Sequence, residues 1–477
     1  MVFSSVVFIF YFLPLFLVIY YLSGARNSIL LTGSAFFYVW GEGPYIILLF
    51  GLLLLNCLAG LYLEKSEGSL RKWGFALAVV ANIAVLGVFK YSQFIIDIVA
   101  GIGGFAAPPV SFHLPLGISF FIFQLISYLV EVYLGTIKAE GNIVRLSTYV
   151  MMFPHLVAGP IVRYTDIKAE LHDRSVGAGK LSLGIQYFVV GLCQKVMIAN
   201  SVAPVADHLF LLPCTEITTA TAWIGTLAYT LQIYFDFCGY SNMAIGLAFM
   251  LGFRFPKNFD YPYASRSITE FWRRWHMSLS FWFRDYVYIP LGGSRKGEAS
   301  TVRNLLIVFL VTGLWHGAAW TFIFWGLFHG AFVVLERLLL KDVLAASPQL
   351  VSRSYTLAVV MVGWVFFRAE NFAQASSVIS ALAGFGAVSE GWQPLMTWMT
   401  PETVAALVIG SLLSFPILPA LFEKLGMAKI SGPSLPAVRS ESIAVHVIPT
   451  VVLVAGLLIS ITLLVSTSLN PFLYFRF

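Results

Sequence analysis

The sequence predicts an all-α polytopic membrane protein, and three observations carry that prediction. Only 11% of the 477 residues are charged while 59% are hydrophobic and 16% aromatic, at a mean hydropathy of +0.84. Soluble domains carry about 25% charged residues. The shortfall runs along the whole chain, which excludes a soluble enzyme with a single anchor. Segments such as Ile46 to Leu63 and Ala444 to Leu464 are apolar on every face, whereas barrel strands alternate apolar and polar positions. Helices remain, because a backbone in lipid must satisfy its own hydrogen bonds.

With about twenty apolar residues needed per crossing, spans are expected near 3 to 22, 28 to 40, 45 to 63, 73 to 90, 115 to 134, 182 to 200, 220 to 236, 304 to 320, 321 to 338, 354 to 368, 403 to 422 and 443 to 466. That gives about 11 to 12 transmembrane helices. The first is expected to be retained, since it lacks a basic n-region and a small-residue cleavage site. Leu146 to Val162 and Tyr240 to Phe253 are short and interrupted by Gly or Pro, so they are expected to be re-entrant or broken helices packed against protein. No long-period repeat or low-complexity linker divides the chain, and a single membrane domain over 1–477 is expected.

The net charge of +6 would suit a nucleic acid, but the lysines and arginines lie in loops between apolar spans. Anionic lipid and topology explain them better, so no nucleic-acid partner is expected. If the two interrupted segments do not cross, the basic loops, including Arg254 to Arg303 and Lys424 to Arg439, all fall on the cytoplasmic side and both termini face outward. The segments 112–115, 203–218 and 370–400 then face outward too. Cys57, Cys193, Cys214 and Cys238 show no CxxC spacing and read as small core residues, not as a disulfide or metal framework.

The most polar long segment, Gly252 to Arg303, is also aromatic. Ser267 followed by Glu270 is a capping-box start. From there Trp272, Trp275, Leu279, Trp282 and Tyr286 form one helical stripe, with Arg273, Arg274, Arg284 and Asp285 opposite. Such a helix is expected to lie in the membrane interface until Pro290, Gly292 and Gly293 stop it.

HExxH, GxSxG, Walker and GxGxxG signatures are missing, so no metal site and no permanently bound cofactor are expected. What remains is polar residues in apolar surroundings, which are costly to keep in a bilayer. His316, in LLIVFLVTGLWHGAAW, falls about twelve residues into its span, roughly 18 Å deep at 1.5 Å per residue. A desolvated imidazole there could be a general base or a buried histidine bonded at a helix crossing. His276 could face a cytoplasmic cavity entrance or anchor at the headgroups. His329, in GLFHG, reads as packing or as support for the site, and His155, in FPHLVAGP, as a cavity liner or a cap on broken backbone. Asp236, Glu131 and Lys195 read as paired or snorkelling charges.

The run NFDYPYASRSITEFWRRWHMSLSFWFRDYVYIPLGG, followed by RNLL, GLWHG and WGLFHG, resembles the membrane-bound O-acyltransferases, specifically the bacterial alginate O-acetylase branch. MVFSS, FKY at 89–91, LPLGISFFIFQLISY, FPHLVAGPIVR, YFDFCGYSNMAIGL and GWVFFRAENF extend the resemblance along most of the chain. It implies a motif-bearing core over about 85–340 with C-terminal helices at 354–477, and a central tunnel open to the cytosol and to the outside. It places the chain in the bacterial inner (cytoplasmic) membrane and implies a thioester donor such as acetyl-CoA, used as a co-substrate. The family's near-invariant histidine corresponds to His316 in GLWHG, and its second motif position, in WRRWH, to His276. Arg273, Arg274 and Arg284 are expected to meet the donor phosphates. The resemblance also implies an extracytoplasmic acceptor protein that hands acetyl to a polysaccharide, alginate first. Cys238, Asn242 and Glu131 depart from the family pattern, where Ser, Asp and Asp are expected. D-alanylation of teichoic acid and peptidoglycan O-acetylation, as in sister branches, are the alternative acyl transfers. A transporter or flippase is the alternative from another class, although it should show two related halves.

Overall fold

The computed structural model describes residues 2–24, 26–110, 112–387, 397–417 and 443–466. Among them there is no β-strand. The helices are α1 (Leu13–Leu22), α2 (Arg26–Glu42), α3 (Ile46–Lys65), α4 (Gly68–Leu86), α5 (Ser92–Gly103), α6 (Ile118–Tyr133), α7 (Ile143–Met151), α8 (Phe153–Leu156), α9 (Tyr164–His172), α10 (Ala178–Cys193), α11 (Asn200–Leu211), α12 (Thr219–Met250), α13 (Ile268–Arg274), α14 (Met277–Phe283), α15 (Glu298–His316), α16 (Trp320–Leu335), α17 (Lys341–Ala346), α18 (Gln349–Arg368), α19 (Phe372–Ser380), α20 (Pro401–Leu413) and α21 (Ile443–Ser466). Every expected span overlaps one of these, with ends that differ by several residues in places. Residues 418–422 of the eleventh, the basic stretch 424–439 and part of the outward segment at 388–396 lie outside the described residues.

Among the described residues six helical stretches are long and apolar enough to cross a bilayer: Arg26–Lys65, Gly68–Gly103, Ala178–Leu211, Glu298–His316, Trp320–Ala346 and Gln349–Arg368. Shorter apolar helices accompany them, among them Phe8–Leu22, Ile118–Tyr133 and Pro401–Leu413. Two expected spans merge in Arg26–Lys65 because the break at Gly43–Tyr45 is only a tight 3₁₀ turn. Pro44 takes the first turn of the new helix, where its missing N–H costs nothing.

The chain packs as two compact units, Met1–Ile185 with Ala244–Pro256, and Gln186–Met243 with Lys257–Phe477. In the first unit α3 and α4 are tied by a reciprocal amide pair. Asn56 Nδ2 donates to Asn82 Oδ1 at 3.1 Å and Asn82 Nδ2 returns the bond to Asn56 Oδ1 at 2.9 Å. Each amide also donates to the carbonyl four residues earlier, Leu52 and Ala78, at 2.8 Å. Both side chains are fully buried.

The interrupted segment near His155 is broken as expected. α7 ends at Met151, α8 lasts one turn, and the chain then runs extended to Val162. At the break Phe153 N–H turns away from the Tyr149 carbonyl to Ser34 Oγ at 3.0 Å. His155 Nε2 caps that carbonyl at 2.7 Å while its ring stacks on Phe255 at 5.1 Å. Of its two readings, the backbone cap describes these contacts.

The second interrupted segment is different. Tyr240 to Phe253 was expected to be broken, yet α12 runs unbroken through Met250 for 32 residues. No proline lies inside it, and its glycines serve close packing: a Cβ on Gly239 would stand 2.6 Å from the Gly191 carbonyl oxygen on α10.

In the second unit the core gathers Phe271, Trp272, Trp275, Phe309, Trp325, Trp364 and Phe367 with residues of α11, α12 and α20. Asp236 of α12 pairs inside it with Lys195, which sits on the π-helical turn Gln194–Ala199. Mutual pairing is how two buried charges become tolerable. In the first unit Glu131 accepts from Thr165 Oγ1 at 3.0 Å. Among the described residues the four cysteines are free, Cys57 and Cys238 buried and Cys214 exposed.

Candidate active site

His316 is the last residue of α15. The helix stops because Gly317 takes an extended conformation, and α16 restarts at Trp320. The two helices pack in direct backbone contact. A Cβ on Gly313 would lie 2.4 Å from the Phe322 carbonyl oxygen, and one on Gly326 would lie 2.3 Å from that of Phe309. The GLWHG and WGLFHG glycines thus form one seam. It holds the His316 ring edge-to-face against Trp315, Trp325 and Phe367, at centroid distances of 4.9, 5.0 and 5.1 Å.

His276 lies on no continuous interface helix. Ser267 caps α13 as its sequence promised, its Oγ accepting from Glu270 N–H at 2.9 Å. That helix nevertheless ends at Arg274, and Trp275 is extended. His276 takes left-handed angles of φ 43° and ψ 54°, and α14 starts after it. The expected aromatic stripe also faces protein, not headgroups. Trp272, Trp275, Leu279 and Trp282 are all buried, and Trp275 packs on Phe259 at 5.0 Å and Trp364 at 4.8 Å. The periodicity correctly identified one buried face, but it could not tell a protein core from an interface.

Outside forces hold this broken element. Glu336, beyond α16, accepts from Thr269 N–H at 2.9 Å and Thr269 Oγ1 at 2.7 Å, and also from Ile268 N–H. A carboxylate there complements the positive end of α13. Tyr263 donates to the Thr230 carbonyl at 2.7 Å and accepts from Trp364 Nε1 at 3.1 Å.

The His276 side chain is buried at 1% exposure and packs against Phe237 at 4.7 Å. Its Nδ1 lies 3.1 Å from Asn258 Oδ1, while Nε2 is buried with no hydrogen-bond partner among the described residues. Burial pushes the imidazole down to about 3, so it is neutral at physiological pH. The Trp315 ring, 6.2 Å from His276 and 4.9 Å from His316, is flanked by both histidines. The structure therefore brings the two sequence-predicted histidines around one indole. His329 sits beyond Trp325, fully buried in a cage of Trp272, Trp325 and Phe328, which suits the packing role read from its spacing.

The three arginines are placed differently. Arg273 is exposed. Arg274 pairs with Glu270 at 2.8 Å, and Arg284 with its neighbour Asp285 at 2.6 Å. The sequence reading assigned no role to Asn258, although it lies inside a quoted motif. Its contact with His276 spans 18 residues and forms only through the break at Trp275 and His276, for which the sequence carries no local signal.

A many-span helical fold that buries two imidazoles beside one indole has the make-up of a membrane enzyme with a histidine-based site. The membrane-bound O-acyltransferase family model matches residues 116–376, and the chain belongs to that family. It is similar to a probable alginate O-acetylase, AlgI, of Pseudomonas putida, at 43% identity over 100% of both chains. It is also similar to the probable alginate O-acetylase AlgI of Azotobacter vinelandii, at 47% over 81% of this chain and 79% of that one. The peptidoglycan O-acetyltransferase of Helicobacter pylori is 33% identical over 82% and 81%. The chain is thus a multi-pass membrane O-acyltransferase, and the transporter alternative falls away.

Proposed function

We propose that this chain is the membrane subunit of an alginate O-acetylation system of the bacterial inner membrane. It takes acetyl from cytosolic acetyl-CoA and delivers it to an acceptor on the far side. The observation that carries this reading is the 43% identity, over the full length of both chains, to the Pseudomonas putida AlgI. The alginate O-acetylases named above exceed the peptidoglycan enzyme in identity by ten points or more, which favours alginate as the polymer served.

In this mechanism the acceptor is a hydroxyl, on a serine of an extracytoplasmic partner protein or on the sugar itself. His316 takes the hydroxyl proton as the oxygen attacks the thioester carbonyl, the C–S bond breaks, and the thiolate leaves and is protonated to free CoA. Acetyl becomes an ester of the acceptor, and no covalent intermediate on this chain is needed. The aromatic cage of His316 keeps water from competing. His276 works beside it across Trp315. Arg273, with Arg274 and Arg284 exchanging their carboxylate partners, meets the donor phosphates.

The test is radiolabelled acetyl-CoA added to inside-out membrane vesicles from cells that carry the complete polysaccharide system. Label in alginate or in an extracytoplasmic protein is the expected result. Label confined to peptidoglycan, or consumption of an aminoacyl carrier protein in its place, would refute it.

A further inference from the structure

Among the described residues Asn258 is the one polar side chain that touches the His276 ring within normal hydrogen-bond length, and its own orientation is fixed by its neighbours. Ser278 backbone N–H lies 3.3 Å from one amide atom, and a backbone N–H can only donate, so that atom is the oxygen. Ser278 Oγ donates to the same oxygen at 2.8 Å. The amide nitrogen donates to Ser241 Oγ of α12 at 3.0 Å, and the Asn258 carbonyl receives Met277 N–H at 2.9 Å. Asn258 therefore ties α12 to the start of α14 through both its side chain and its backbone.

This arrangement has a consequence for the histidine. An amide oxygen accepts and cannot donate, so the His276 nitrogen facing it at 3.1 Å must carry the hydrogen. In a neutral ring the other nitrogen, Nε2, then holds a lone pair, and that atom is buried with no partner among the described residues. The backbone has been bent to present it. Among the described residues only Tyr261 and His276 are non-glycine residues with positive φ, and such strain at a buried position persists only where surrounding contacts enforce it.

We propose that Asn258 is a positioning residue that locks His276 in the Nδ1–H tautomer, so that Nε2 meets the substrates as a hydrogen-bond acceptor. The group it receives is a donor, such as the acceptor hydroxyl or an amide N–H of the CoA arm, and not an oxyanion. This rests on the reading that places His276 in the reaction. The side chains against the ring are Phe237 from α12, Trp315 from α15, and Asn258 and Ser278 from its own stretch of chain. None of them titrates, and burial alone keeps the imidazole neutral.

The experiment follows acetyl transfer from radiolabelled acetyl-CoA in the same vesicles across pH 4 to 8.5, with Asn258→Asp, Asn258→Leu and His276→Ala compared with the parent. Asn258→Leu frees the ring to turn and to exchange tautomers, and should lower maximal transfer on the order of 10²-fold with the donor KM little changed. Asn258→Asp keeps the acceptor but adds a charge that favours imidazolium. Its rate should recover toward the parent at the alkaline end, while its acid limb moves up by about 1 to 3 pH units as protonation consumes the lone pair. The near-isosteric Asp variant carries the test even where the Leu variant fails to fold. Identical pH profiles for Asn258→Asp and the parent, or full activity of well-folded Asn258→Leu, would overturn the inference while an inactive His276→Ala leaves the wider reading intact. Normal transfer by His276→Ala would overturn both.

Discussion

Replacing Gly326 with alanine tests whether the backbone seam between α15 and α16 sets the position of His316. The added Cβ would stand 2.3 Å from the Phe309 carbonyl oxygen and 3.1 Å from Gly313 Cα. The first is about 1 Å short of ordinary van der Waals contact, and both neighbours are backbone, so no side chain can rotate away. The helices must part by about that distance, at a cost of about 1–3 kcal/mol. His316 terminates α15 against Trp325 of α16 at 5.0 Å, so the same movement shifts the His316 imidazole, the base of the proposed reaction. A misplacement of about 1 Å costs on the order of 10²-fold in rate. The control is Gly51→Ala in α3, where a Cβ meets nothing within 4 Å, and where helix propensity should gain about 0.5–1 kcal/mol. Thermal unfolding in detergent gives the stability arm and vesicle acetyl transfer the activity arm. If Gly326→Ala matches Gly51→Ala in both, the seam does not position the site.

Three further outcomes follow from the same geometry. His316→Ala should cut transfer by about 10²–10⁴ at unchanged expression and insertion, and normal polymer acetylation in cells carrying it would remove His316 from the chemistry. Arg273→Glu combined with Arg274→Glu should weaken acetyl-CoA binding and flatten its salt dependence; unchanged affinity across salt would clear both from the donor site. Because burial holds His276 at about 3 in the folded protein while an unfolded histidine titrates near 6.5, the unfolded chain binds the extra proton between those values. Stability should therefore fall as pH drops from about 6.5 toward 3. His276→Gln should remove that part of the slope, as detergent melting curves across the window would show.

Much of the fold was legible because lipid imposes a simple rule on composition: each expected span became a helix. The two histidines were legible through motifs whose glycines and tryptophans turned out to be the packing that holds them. What could not be read was where helices stop. Nothing local in RRWHMS signals that Trp275 leaves the helix, since the contacts around the break come from Asn258 and, through it, Ser241, both outside that stretch. Likewise the glycine-bearing stretch Tyr240 to Phe253 read as broken, yet α12 runs through Met250 and its Gly239 is a contact point with α10, because a glycine reads the same whether it bends a chain or admits a neighbour. The aromatic stripe failed for a related reason: tryptophans suit both headgroups and a protein core, and burial decides between them.

The paired amides of Asn56 and Asn82 bear on how this protein can vary. Each amide spends one hydrogen on its own helix and one on its partner, and each oxygen is answered from across the gap. Loss of either residue alone strands the other's polar atoms in an apolar surrounding, a worse state than losing both. The two positions are thus a single hereditary character written at two places in the sequence. A lineage can discard it only by passing through an intermediate less fit than either end, or by changing both at once, and until it does the alignment of α3 with α4 is inherited unaltered.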